Sequence, residues 1–116
     1  MELAGKLILV IGLGESGLAM ARWLARQDAH VRVADSRPAP PQADALRAAV
    51  PAADLCVGPF TAEAFAGVDL IAISPGVPVQ EELVQAAVAR GVPLVSEIEL
   101  FAWAIGGLTP RARVIA

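Results

Sequence analysis

The chain alternates short, continuous runs of apolar residues with longer stretches in which apolar residues recur every three or four positions. Continuous runs predict strands of a parallel sheet, because such strands are covered on both faces and need no polar side. The recurring pattern predicts helices. The predicted strands are residues 7–11, 31–34, 55–57, 68–73 and 94–95, and residues 113–116 look like the beginning of a sixth strand.

Helices are predicted between these strands. They cover residues 18–27, 44–50 and 80–90, with one or two helical turns at residues 61–65. Ser96 and Glu99 have the spacing of a capping box, which predicts a further helix through Ala104. Alternating strands and helices predict an α/β fold: a Rossmann-like open parallel sheet of five strands, or six with residues 113–116, with helices on both faces.

Composition narrows the possible classes of protein. The 116 residues suit a single domain, and 56% are hydrophobic, yet no apolar run approaches the ~18 residues of a membrane helix. Because Met1 and Glu2 do not make a basic leader, we expect a cytoplasmic protein.

The net charge of −3 argues against a nucleic-acid surface. With Cys56 and His30 as the only cysteine and histidine, we expect neither an internal disulfide nor a metal site.

The first predicted strand leads directly into Gly12-Leu13-Gly14-Glu15-Ser16-Gly17. This is a G-x-G-x-x-G motif between a strand and a helix, the context in which it binds phosphate. Gly12 permits the tight turn, Gly14 lets a phosphate approach the backbone, and Gly17 packs the helix on the strand. The helix start offers N–H groups and a positive dipole end, and Ser16 adds a hydroxyl. A strand-to-helix turn that binds nothing is the alternative.

Two further polar segments follow predicted strands. Asp35-Ser36-Arg37 lies at the end of the second strand, where dinucleotide folds carry a ribose-binding acid; the alternative is a solvated turn. Ser74-Pro75-Gly76 follows the fourth strand, where Gly76 would allow close approach of a phosphate or sugar; the alternative is an ordinary proline turn. Because ligands bind outside the carboxyl ends of parallel strands, we expect both segments to face the glycine loop.

Catalytic signatures are not found in the sequence. No G-x-x-x-x-G-K-[ST] motif is present, and Lys6 is the only lysine. No nucleophile and base pair is recognisable, and capping is the expected role of Glu97 and Glu99. The sequence therefore predicts a binding domain without catalytic residues of its own.

Taken together, four segments resemble the N-terminal domain of the MurD ligase family: residues 10–19, Asp35-Ser36-Arg37, residues 73–77 and residues 96–101. The resemblance implies that residues 1–116 form one domain that holds the UDP part of UDP-N-acetylmuramoyl-L-alanine. It places Glu15, Ser16 and Gly76 at the diphosphate and Asp35, Ser36 and Arg37 around uracil. The UDP-binding residues expected from motifs and resemblance together are Gly14, Glu15, Ser16, Gly17, Asp35, Ser36, Arg37, Ser74 and Gly76.

The resemblance also implies that two more domains, central and C-terminal, supply ATP, Mg²⁺ and D-glutamate binding in a full-length ligase of peptidoglycan synthesis. The abrupt apolar end at Val114-Ile115-Ala116 fits a fragment, which we expect to bind no cofactor and to be inactive alone. Sister ligases for other amino acids are a weaker match. The alternatives from other classes are an NAD(P)-binding domain of an oxidoreductase, a nucleotide sensor, or a structural fragment that binds nothing.

Overall fold

A computed structural model describes residues 3–106, with side chains as far as Trp103. Its strands are Leu7–Ile11 (β1), His30–Asp35 (β2), Asp54–Val57 (β3), Leu70–Ile73 (β4) and Leu94–Ser96 (β5). Its α-helices are Glu15–Arg26 (α1), Ala43–Ala49 (α2), Glu82–Ala89 (α3) and Glu97–Gly106 (α4), and Ala62–Phe65 forms a 3₁₀ helix. The Rossmann-like α/β prediction is confirmed, while the predicted sixth strand at 113–116 lies outside the described residues.

All four strand pairings are parallel, and the order across the sheet is β3-β2-β1-β4-β5. The chain therefore builds the sheet outward from β1 in one direction and then returns to add β4 on the other side of β1. At this reversal the connections leave the sheet toward opposite faces, which opens a crevice beyond the carboxyl ends of the central strands.

Two apolar cores cover the two faces of the sheet. Along β1 the side chains alternate between them: Ile8 and Val10 lie in one core, Leu9 and Ile11 in the other. The first core also receives α1, α2 and α4, and the second receives α3 and the 3₁₀ helix. Because β1 is buried on both faces, it has the continuous apolar sequence from which it was predicted.

The largest difference from the predicted boundaries lies at a helix start. Helix α1 begins at Glu15 rather than residue 18, because the amide of Leu18 already donates to the carbonyl of Gly14 within the loop. Helix α3 begins at Glu82 because the Glu81 carboxylate accepts from the amides of Leu83 and Val84. Strand β4 begins at Leu70 rather than residue 68.

The capping box at the start of α4 is confirmed. The Ser96 amide donates to the Glu99 carboxylate, and the Glu99 amide donates to the Ser96 hydroxyl, each at 3.2 Å. These reciprocal bonds satisfy two amides at the helix start and so fix where β5 turns into α4. Within residues 3–106, none of the helices combines the length and apolarity needed to cross a bilayer.

Candidate functional site

A crevice of about 540 Å³ lies at the carboxyl ends of the central strands. This volume is in the usual range for a small-molecule site. The residues that line it come from the glycine loop after β1, the polar triplet after β2, the segment after β3 and the turn after β4. They are Gly12, Gly14, Glu15, Ser16, Asp35, Ser36, Arg37, Phe60, Ser74, Pro75, Gly76, Val77 and Pro78.

The three motif glycines of the loop have different surroundings. Gly12 has a φ of +92°, and a Cβ there would lie 2.9 Å from Val77 Cγ2. A Cβ on Gly17 would overlap the carbonyl oxygen of Gly12. A Cβ on Gly14, in contrast, would meet nothing within 4 Å. Gly12 and Gly17 are therefore required by the fold, whereas Gly14 keeps one side of the crevice open.

Helix α1 points its N-terminal end at the crevice. Its N-cap residue is Gly14, which has no side chain to cap the amides of the first turn. Such amides, together with the helix dipole, suit an anion. The Glu15 side chain is exposed, so its carboxylate is in solvent rather than buried against these amides.

Asp35 and Arg37 form a tightly bonded pair at the end of β2. The Asp35 carboxylate accepts from Arg37 Nε at 2.9 Å and from Arg37 Nη2 at 2.6 Å. It also accepts from the backbone amides of Arg37, at 2.8 Å, and of Leu13, at 2.7 Å. The guanidinium hydrogen bond is the main cause that holds the pKa of Asp35 at about 2, against the opposing effect of burial. The same bond raises the pKa of Arg37.

The two members of this pair differ in exposure. The Asp35 side chain is 3% exposed, whereas the Arg37 side chain is 51% exposed and forms part of the crevice wall. A guanidinium has five N–H donors, and Asp35 takes two of them, which leaves three for other acceptors. Arg37 therefore presents an oriented cation with donors to spare.

The turn after β4 forms the opposite wall. The buried Ser74 hydroxyl donates to the carbonyl of Gly12 at 2.9 Å, which joins this turn to the glycine loop. Pro75 and Gly76 follow on the exposed side of the turn. The expectation that this segment faces the glycine loop is thus met by the structure.

Eight of the nine residues predicted as UDP contacts line the crevice, and Gly17 does not, because it is packed against Gly12. Phe60 was missed. Its half-buried ring lines the crevice and packs edge-to-face on Phe65, with ring centroids 6.4 Å apart. Applying the carboxyl-end rule to β3 as well would have found it, since Phe60 follows β3 across the Gly58-Pro59 turn.

The groups that line the crevice are suited to binding a ligand. It has backbone amides and a cation for an anion, hydroxyl groups for polar contacts and an aromatic ring for a flat apolar group. Among residues 3–106, no three His, Cys, Asp or Glu side chains come close enough together to hold a metal ion.

Comparison with known proteins gives a family and close relatives. Residues 6–96 match the family model described as Mur ligase MurD-like, N-terminal domain. Over 116 residues the chain is 53% identical to the UDP-N-acetylmuramoylalanine--D-glutamate ligase of Dechloromonas aromatica, covering all of this chain and 25% of that protein. It is 52% identical over 107 residues to the ligase of the same name from Nitrosospira multiformis, covering 92% of this chain and 23% of that one. The chain thus spans about a quarter of the length of these curated relatives.

Solved structures share the fold. A pseudomurein peptide ligase type C from Methanothermus fervidus superimposes with a TM-score of 0.67 at 25% identity, over 82% of this chain and 20% of that one. D-lactate dehydrogenase from Escherichia coli gives a TM-score of 0.58 at 24% identity, over 83% of this chain and 29% of that one. The second likeness shows the fold alone.

Proposed function

Because the chain belongs to the MurD-like N-terminal domain family of the Mur ligases, we propose that it binds the UDP part of UDP-N-acetylmuramoyl-L-alanine. In this proposal the diphosphate lies at the glycine loop and the start of α1, and uracil lies at the end of β2. The proposed UDP site comprises Gly14, Glu15, Ser16, Asp35, Ser36, Arg37, Ser74 and Gly76, and Gly17 contributes behind it by packing α1 against the glycine loop.

The observation that carries the proposal is the division of one crevice into two chemically different ends. At one end, Gly14 leaves open space in front of the uncapped amides of α1, which suits a diphosphate. At the other end, Ser36 and the oriented Arg37 guanidinium line the crevice together with Phe60. A planar base with carbonyl acceptors complements that end, because Arg donates hydrogen bonds and also stacks on flat rings.

For the full-length protein we propose an ATP-dependent ligase that adds D-glutamate to the alanine carboxylate in peptidoglycan synthesis. The names of the relatives support this activity. The carboxylate would attack the γ-phosphate of ATP and release ADP, and the D-glutamate amine would then displace phosphate from the acyl-phosphate. ATP, Mg²⁺ and D-glutamate would be held by a central and a C-terminal domain, partners of this domain in the same protein, and this chain alone would not ligate. The cytoplasmic location expected from the sequence stays a prediction.

A calorimetric titration of the chain tests the binding proposal. The ligands are UDP-N-acetylmuramoyl-L-alanine, UDP, ADP and NAD, at the same concentration and ionic strength. We expect heat of binding with both uridine ligands and a weaker response to ADP, because only uracil matches the groups at the end of β2. Binding of NAD in preference to UDP would instead support the dehydrogenase-like alternative, whose fold this chain shares.

Loss of all binding in this titration would contradict the proposal only if the chain is folded. Circular dichroism on the same sample provides that control. A folded chain that binds none of the four ligands at millimolar concentration would show that the crevice is not a UDP site by itself.

A further inference from the structure

The peptide unit between Gly12 and Leu13 is held from both sides by side chains. Its carbonyl accepts from the Ser74 hydroxyl at 2.9 Å, and its N–H donates to Asp35 Oδ2 at 2.7 Å. The two groups of a trans peptide point in opposite directions. The peptide is accordingly bonded toward β4 on one side and toward β2 on the other, which are the two neighbours of β1 in the sheet.

These side-chain bonds continue the backbone ladder of the sheet by one more step. Immediately before them, the Gly12 amide donates to the Ala34 carbonyl at 2.8 Å, and the Ser74 amide donates to the Ile11 carbonyl at 3.0 Å. Beyond this point the strands end in turns, and the Leu13 amide and the Gly12 carbonyl bond to side chains instead of backbone groups. Asp35 and Ser74 supply the missing acceptor and donor.

Both side chains are already bonded to groups of the protein. A carboxylate has about four acceptor positions. Asp35 accepts four hydrogen bonds, two on each oxygen, and the residue is 2% exposed. The Ser74 hydroxyl donates its one proton in the hydrogen bond to the Gly12 carbonyl, and the residue is 7% exposed.

From this geometry we propose that Asp35 and Ser74 are positioning residues of the site rather than contacts of the ligand. They clamp the Gly12–Leu13 peptide, and this fixes the direction in which Gly14 and the start of α1 meet the diphosphate. Asp35 in addition orients the Arg37 guanidinium. The inference rests on the proposed function in that its ligand is UDP, and it assigns a different task to two of the residues named for that site.

Amide hydrogen exchange in the ligand-free chain tests the clamp without any ligand. Asp35→Ala removes the acceptor of the Leu13 amide, and Ser74→Ala removes only one hydroxyl. We expect exchange of the Leu13 amide to be at least about tenfold faster in Asp35→Ala and severalfold faster in Ser74→Ala. Unchanged Leu13 exchange in both variants would overturn the clamp.

Asp69→Ala is the matched control. The Asp69 carboxylate accepts from the Leu7 amide at 2.8 Å, a bond of the same kind at the start of β1 and outside the crevice. This variant should speed exchange at Leu7 and leave Leu13 unchanged. An effect on Leu13 as large as that of Asp35→Ala would mean that general loosening of the sheet, and not the clamp, controls that amide.

The affinity for UDP then tests how the two residues act on the ligand. We expect the Kd to rise about tenfold in Ser74→Ala and on the order of a hundredfold in Asp35→Ala, while Asp69→Ala keeps the wild-type value. The double variant should bind no more weakly than Asp35→Ala alone, because both changes release the same peptide. Losses that multiply to about a thousandfold would show independent contacts with the ligand and overturn the inference.

The two failures are distinguishable. If the wild-type chain is folded but does not bind UDP, the proposed function is wrong, and Leu13 exchange still decides whether the clamp exists. If the wild-type chain binds UDP and the losses in the double variant multiply, the function stands and the positioning role is wrong. Ser74→Ala changes so little volume that it keeps the test open should Asp35→Ala not fold.

Discussion

The crevice wall has a buried layer and an open layer that differ in task. Gly12, Asp35 and Ser74 are buried and bond or pack against one another's segments, whereas Gly14, Arg37 and Gly76 face open space. In each of the three strand ends the buried residue comes first, and the open residue follows two positions later. At each strand end the buried residue holds the backbone in place, and the residue two positions later lies on the ligand-binding side. Substitutions in the buried layer should therefore cost stability and, through the backbone that they release, binding as well, whereas those in the open layer should cost binding alone.

The largest expected effect is that of Gly17→Ala, which belongs with the buried layer. The added Cβ would overlap the carbonyl oxygen of Gly12, so either α1 or the glycine loop must move. We expect a loss of about 3 kcal/mol or more in the free energy of unfolding. Urea denaturation followed by circular dichroism measures it. Gly14→Ala, in open space of the same loop, is the control, and a Gly17→Ala loss as small as that of the control would remove the distinction between the layers.

Gly14→Val, in contrast, should leave the stability of the fold nearly unchanged and weaken ligand binding. Its side chain would occupy space that is empty, so the free energy of unfolding should change by less than about 1 kcal/mol. The same side chain would keep a phosphate away from the backbone, and we expect UDP binding to weaken by about a hundredfold or more. Calorimetry and denaturation on one preparation give both numbers. Ala19→Val, on the exposed side of α1, controls for added bulk in the helix; unchanged affinity in Gly14→Val would contradict the placement of the diphosphate.

The third effect is a pH dependence that comes from the buried layer. The pKa of Asp35 is about 2 in the folded chain, below its ordinary value of 3.8. A lowered pKa stabilises the fold above pH 3.8, and this contribution is lost as pH falls toward 2. The free energy of unfolding of the wild type exceeds that of Asp35→Ala by an amount that should fall by about 2 kcal/mol between pH 6 and pH 2. Urea denaturation of both proteins across this range measures the difference, and a constant difference would show that Asp35 is not stabilised as its charged form.

The smallest expected effect is that of Arg37→Ala in the open layer. We expect the Kd for UDP to rise about tenfold, because an oriented donor and stacking surface is lost from one end of the crevice. Affinity for ADP should change less, since the proposed partner of Arg37 is uracil. Parallel titrations with UDP and ADP measure the two values. Equal weakening of both would identify Arg37 as a phosphate contact.

Much of the fold could be predicted because its signals are local. The five apolar residues of β1 matched the strand residue for residue, and the capping box at Ser96 and Glu99 formed as its spacing indicates. The start of α1 was predicted three residues late. The apolar period begins only at Leu18, whereas the helix begins at Glu15, because the glycine loop itself forms the first turn.

Most of the residues that line the candidate site could be predicted from the sequence, but which of them are bonded within the fold and which face open space could be predicted less well. The glycine motif, the rule about carboxyl ends of parallel strands and the family resemblance together located eight lining residues, and Phe60 was missed because no ligand-facing residue was predicted after the short β3. Asp35 was expected at the ligand for its position after β2. Three of its four donors belong to Arg37, two positions later, but the fourth is the Leu13 amide, and the sequence around Asp35 does not indicate that partner.

By itself the sequence determined where strands and helices form, where the chain must turn and which segments carry polar groups. These properties depend on residues a few positions apart, through side-chain periodicity and the backbone freedom of glycine. The strand order and the partners of the polar groups were decided by the tertiary structure. Ser74 reaches Gly12 across 62 positions and Asp35 reaches Leu13 across 22, and only the parallel register of β2, β1 and β4 brings them together. Since a buried polar group must take whichever partner the fold places beside it, the packed sheet determines which groups stay free for a ligand.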